Sequence, residues 1–92
     1  MLVQNDNHLS LSGDLTRRSV TALFNHPPKF EAKQYSLDLN AVDAIDSAGV
    51  SLLLLWKKMA NAASASLTLQ NCPESLVNLL KLYNAEKLFE YR

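Results

Sequence analysis

Apolar and polar residues alternate along five short runs of the chain, and helical spacing occupies the stretches between most of them. Leu2-Val3-Gln4 and His8-Leu9-Ser10-Leu11-Ser12 read as two strands joined by Asn5-Asp6-Asn7, whose side chains bond nearby backbone and so favour a turn. The pair is an N-terminal β-hairpin. Gly13-Asp14 breaks the second strand, Thr16 is placed to cap a helix, and Val20, Leu23 and Phe24 recur at helical spacing until Pro27-Pro28 forbids continuation. The spacing predicts a first helix over residues 16–25.

Tyr35-Ser36-Leu37-Asp38-Leu39-Asn40 alternates with period two, and Ala41-Val42 extends it as a central strand ending in an acidic turn. Asp46 or Ser47 caps a second helix that runs to about residue 63, where the weakly polar stretch 61–66 ends it. Leu67-Thr68-Leu69-Gln70 is a further strand. Pro73 at a first helical position opens a third helix carrying Leu76, Leu79, Leu80 and Tyr83, and Asn84 supplies a left-handed stop. Leu88-Phe89-Glu90-Tyr91 closes the chain as a last short strand. Strands that alternate with helices imply an α/β fold with a mixed, mostly parallel sheet on which the helices pack.

The second helix is two-sided. At 100° per residue, Gly49, Leu52, Leu53, Trp56, Met59, Ala60 and Ala63 fall on the side that faces a core. Ser47, Ser51, Leu54 and Lys58 fall opposite, with Leu55 flanking them. Two leucines thus stand where a solvated helix would carry charge. Isolated exposed leucines are common, so this stripe is either incidental or a docking surface with Leu54 and Leu55 as apolar anchors and Lys58 at the rim. Ser47 is either a capping residue or a modifiable hydroxyl at a helix start, where phosphate would add about 1.5 to 2 negative charges beside Asp43 and Asp46.

Composition narrows the functions available. Ninety-two residues suffice for one domain over 1–92, and an apolar fraction of 48% with 20% charged residues is that of a folded globule. Nine basic residues balance nine acidic ones, so no overall field draws in nucleic acid or anionic lipid. The lone Cys72 cannot form an internal disulfide, which accords with the cytoplasm. The longest strongly apolar run, 52–56, is far short of a bilayer span, so direct membrane insertion is not expected. No phosphate-binding Gly-rich loop occurs, His8 and His26 lack ligand-spaced partners, and no catalytic residue, metal or cofactor is expected. Asp43 and Asp46 read as turn and capping residues with Gly49, not as a catalytic carboxylate pair.

The segment Leu37-Asp38-Leu39 with Val42-Asp43-Ala44-Ile45-Asp46-Ser47-Ala48-Gly49 resembles the central strand and Asp-Ser/Thr-x-Gly turn of STAS domains, named for sulfate transporters and anti-sigma-factor antagonists. Gly13-Asp14-Leu15-Thr16 is similar to the family's turn before its first helix, with Thr16 where an Asp is usual. The likeness covers nearly the whole chain and is weakest at the C-terminus, where the fourth helix of many members is missing. Leu67–Gln70 followed by Leu79-Leu80-Lys81-Leu82-Tyr83-Asn84 is similar to the STAS subunit of the Mla-type phospholipid transport system, an ABC transporter that maintains outer-membrane lipid asymmetry. That resemblance implies a STAS-like fold and a non-enzymatic cytoplasmic accessory subunit, peripheral to the inner membrane through its partners. Its partners would be the transporter's ATPase with its permease, and its contact surface the helix starting at Ser47, with Ser51, Leu54, Leu55 and Lys58. The alternative is an anti-sigma-factor antagonist, partnered by an anti-sigma-factor kinase and switched by phosphorylation of Ser47.

Overall fold

In the computed structural model, which describes residues 1–91, a left-handed residue at Asp6 (φ 53°) turns β1 (Leu2–Asn5) back onto β2 (His8–Leu15). The expected hairpin forms, with Leu2 opposite Leu11 and Asn5 opposite His8. The chain continues through α1 (Val20–Asn25), β3 (Gln34–Ile45), α2 (Ser47–Ala62), β4 (Ser66–Gln70), α3 (Glu74–Leu82), a 3-10 turn at Glu86–Leu88 and β5 (Glu90–Tyr91). The five strands lie in the order β1-β2-β3-β4-β5, antiparallel in the first pair and parallel in the rest.

Each crossover advances one place in the same direction, and crossovers of a shared hand then bring their helices to one face of the sheet. Burial follows that division. Leu9, Leu11, Tyr35, Leu37, Leu39, Leu67 and Leu69 are buried under the helices, against Leu52, Leu53, Trp56, Leu76 and Leu80. Their neighbours along the strands are polar and face away: His8, Ser12, Asn40 and Ser66 are exposed, and Ser36, Asp38, Thr68 and Gln70 are partly covered.

Strand β3 is longer than its alternation suggests. The pairing of Ser10 with Asp38 is followed by Ser12 with Ala41, and that of Gly13 with Val42 by Leu15 with Ile45. Each shift gives β3 one extra residue against β2, a bulge that resets which side chain points inward. After Leu39, the positions that turn toward the core are therefore Val42 and Ile45. Gly13, at φ 85°, does not end β2; it accommodates the distorted ladder. Asp43 is accordingly a strand residue, not the turn residue expected from its acidic neighbourhood.

Helix α1 is shorter than the expected 16–25. Residues 16–19 form a turn in which the Ser19 hydroxyl donates to the Asp14 carbonyl (2.6 Å) and accepts from the Thr16 N–H (3.0 Å), so helical geometry starts only at Val20. In so short a helix only Val20 and Leu23 reach the core, and Phe24 stays exposed. The other two helices end alike. Ser64 (φ 58°) and Asn84 (φ 55°) take the left-handed position, and the next N–H of each returns to a carbonyl five residues back, Ala65 to Ala60 (2.8 Å) and Ala85 to Leu80 (2.7 Å). Pro73 sits at the N-cap of α3, one place earlier than expected, and Tyr83, at the C-cap, is exposed instead of packed.

Candidate functional site: the outer ridge of helix α2

The ridge begins at a tied junction. Asp46, in extended conformation, accepts the Ala48 N–H (2.9 Å) and the Gly49 N–H (3.3 Å) on Oδ1, and the Arg17 N–H (3.1 Å) on Oδ2. Its own N–H donates to the Leu15 carbonyl (3.1 Å). One carboxylate thus satisfies two free N–H groups of the helix start and also pins the loop behind β2. Loss of water around the carboxyl acts to raise its pKa, but the three N–H donors and the nearby Arg17 charge outweigh this, leaving Asp46 below the ordinary carboxylate value.

Gly49 follows from the same close approach. A Cβ at this position would stand 2.3 Å from the Leu15 carbonyl oxygen and 2.9 Å from the Leu15 and Ile45 side chains. No side chain fits. Gly49, expected as a turn or capping residue, gives its N–H to the Asp46 cap and is also the point where the first turn of α2 rests on the end of β2. With Asp46 as the cap, Ser47 becomes the first helical residue, exposed to solvent.

From Ser47 the ridge runs down the outside of α2. Ser51, one turn on, is exposed and its hydroxyl donates to the Ser47 carbonyl (3.1 Å). Leu54 is half-buried, its inner edge packed on the core, whereas Leu55 and Lys58 are exposed. Ser51, Leu54, Leu55 and Lys58 line one groove of about 550 Å³, and Ser47 stands a turn above it. The structure brings these five residues to one side of α2. Asp43 stands apart, exposed on β3.

Three residues of the groove were not legible as such: Lys57 and Asn61 on α2, and Leu88 from the 3-10 turn. A signal for Leu88 was present. Leu88 and Phe89 are adjacent, so in any extended reading only one can point inward; Phe89 is buried and Leu88 is 55% exposed.

Away from the ridge several polar groups are already engaged, although the buried Trp56 indole N–H has no acceptor among the described residues. His8 Nδ1 lies 2.9 Å from the Ser36 hydroxyl, and Asp38 accepts from the Asn71 side chain and the Asn40 N–H, each at 2.9 Å, which holds its carboxyl below the usual range. Burial pushes the Cys72 thiol up to about 11, the behaviour of a packed sulfur and not of a reactive thiolate. Among the described residues no three metal-ligating side chains converge, and no helix is long and apolar enough to cross a membrane.

Residues 2–90 match the family described as "Mlab, STAS domain". The chain belongs to the STAS domain family. This STAS domain is 29% identical over 82 residues to the "Intermembrane phospholipid transport system binding protein MlaB" of Escherichia coli K12, a match covering 89% of the chain and 84% of that protein. It is 31% identical over 58 residues to a STAS-domain containing protein of Pseudomonas aeruginosa, spanning 63% of the chain and 57% of that relative. Among solved structures, a sulfate transporter family protein from Wolinella succinogenes superposes with a TM-score of 0.67 at 16% identity, over 88% of this chain and 68% of the other. The unphosphorylated anti-sigma factor antagonist SpoIIAA gives 0.60 at 18% identity, over 89% and 81%. These last two likenesses concern the fold, which is the STAS-like α/β arrangement expected from the chain.

Proposed function

We propose that this STAS domain is a non-enzymatic subunit of a phospholipid-transport ABC system, held at the cytoplasmic side of the inner membrane by binding the system's ATPase. The observation that carries the proposal is the likeness to the E. coli phospholipid transport binding protein, which extends over 89% of the chain. The docking surface is the outer ridge of α2: Ser47 and Ser51 let a partner backbone come close, Leu54 and Leu55 provide apolar contact, and Lys58 lies at the edge. The inner side of the helix is engaged with the sheet and has nothing left to offer a partner. Copurification with the ATPase of the host's phospholipid-transport system tests it. Ser47→Lys or Leu54→Glu should release the ATPase while the circular dichroism spectrum stays that of the parent; undiminished capture by both variants would refute this surface.

A second reading rests on the fold shared with SpoIIAA and on the exposed Ser47 hydroxyl next to Asp46. In it the chain is an anti-sigma-factor antagonist, and phosphate on Ser47 repels an acidic or tightly packed partner. Intact-mass measurement after incubation with the partner kinase distinguishes the two: stoichiometric phosphate lost in Ser47→Ala selects the switch.

A further inference from the structure

The lower half of the α2 ridge has a chemistry different from its start. Its groove is floored by Leu54, Leu55 and Leu88, the last two 37% and 55% exposed, and edged by Lys57 and Lys58 with no carboxylate among its lining residues. Lys87 adjoins Leu88 in the chain and is also exposed. Among the described residues none of these three lysines has a carboxylate within salt-bridge distance. Glu86 and Glu90 each lie two residues from Leu88: Glu86 is engaged with Lys81 (3.7 Å) and the Tyr91 hydroxyl (2.8 Å), and Glu90 accepts from the Thr68 hydroxyl (3.5 Å). A local cationic rim around an apolar hollow thus exists on a chain whose total charge is zero.

Resting on the docking role above, we propose that this groove receives an acidic helix of the partner ATPase: an apolar side chain seated among Leu54, Leu55 and Leu88, with carboxylates on adjoining turns meeting Lys57 and Lys58. Concavity selects a protein over a bilayer, because a hollow accepts one protruding side chain, whereas insertion into lipid requires apolar side chains that project. Charge selects against a second copy of this chain. A two-fold contact lays the patch on itself, bringing Lys57 and Lys58 against their own equivalents. Opposite charges at the rim accelerate encounter and fix orientation, and the apolar anchor supplies the dwell time.

The test uses the full chain, labelled with 15N, and a synthetic amphipathic peptide of about 14 residues, about four helical turns, with leucine at i and i+4 flanked by glutamates. A control peptide carries lysine at each glutamate. The glutamate peptide should shift the amides of residues 51–61 and 86–88, the control should not, and Lys57→Glu with Lys58→Glu should weaken binding about tenfold, as should Leu88→Ser. Equal response to both peptides, shifts confined to other residues, or the same amides responding to vesicles of phosphatidylglycerol and phosphatidylcholine would each overturn it. Concentration-dependent shifts of the protein alone at the groove would overturn it in favour of self-association. The two proposals fail separately. An ATPase released by Ser47→Lys but retained by the double lysine variant removes the groove from the interface, whereas glutamate-peptide binding without ATPase capture keeps the groove's chemistry and removes the ATPase role.

Discussion

The two flanks of α2 share a backbone and differ in almost everything else. On the inner flank Leu52, Leu53, Trp56 and Ala60 are wholly buried and Gly49 touches the end of β2 without room for a methyl group. On the outer flank Ser47, Ser51, Leu55 and Lys58 meet solvent, and only Leu54 reaches partway to the core. Stability is concentrated on one side of the helix and availability for binding on the other, so a substitution at one residue can report on folding and its neighbour's on recognition. Mutations that break this separation are the sharpest probes of it.

The largest effect is expected at Trp56. Truncation to alanine removes the biggest fully buried side chain and should lower unfolding free energy by about 4 kcal/mol in urea titration. Trp56→Phe should cost much less, because the buried indole N–H finds no acceptor among the described residues and the phenyl ring carries no such group. Next comes Gly49→Ala. Its methyl meets a backbone carbonyl, which cannot swing aside as a side chain tip would, so about 1–3 kcal/mol is expected with the wild-type far-ultraviolet spectrum retained.

Asp46 gives a smaller, pH-dependent effect. Because its carboxyl titrates below the ordinary value in the folded chain, its contribution is present above the unfolded-state pKa and is lost as pH falls through the depressed folded one. Asp46→Asn should melt a few degrees below the parent at neutral pH, and the difference should shrink as the pH is lowered from about 5 to about 3. A constant gap across that range would show that the charge is not what ties α2 to the Arg17 loop. The smallest change in stability belongs to the outer flank: Leu55→Ala and Ser51→Lys should stay within about 0.5 kcal/mol of the parent while reducing ATPase capture. If Leu55→Ala or Ser51→Lys unfolds the domain, the two flanks are not separable.

The face of α2 that packs was readable because a 16-residue amphipathic helix repeats its pattern over more than four turns, and Leu52, Leu53, Trp56 and Ala60 all obey it. Alternation in Tyr35, Leu37 and Leu39 was equally plain. What escaped depends on partners distant in sequence. The bulges of β3 are a matter of register against β2, so Asp43 looked like a turn residue and Gly13 like a strand breaker. The exposure of Phe24 and Tyr83 reflects where α1 starts and where α3 stops, set by a serine-held turn and a left-handed asparagine and not by apolar spacing. Of the proposed docking surface, Ser47, Ser51, Leu54, Leu55 and Lys58 followed from one helical wheel, while Leu88 came from another element and could join them only once the C-terminal segment was folded beside α2.

Strand order in this sheet is the same as chain order, and no strand is threaded between two that are already paired. A polypeptide leaving the ribosome can therefore build the domain by accretion, each new strand settling on the margin left by the one before it. By the time Gln70 emerges, β1, β2 and β3 can have all their final neighbours, and of the described elements only α3, the 3-10 turn and β5 remain to arrive. Since Leu88 is carried by that last instalment, the groove on α2 is completed only after the rest of the ridge is in place.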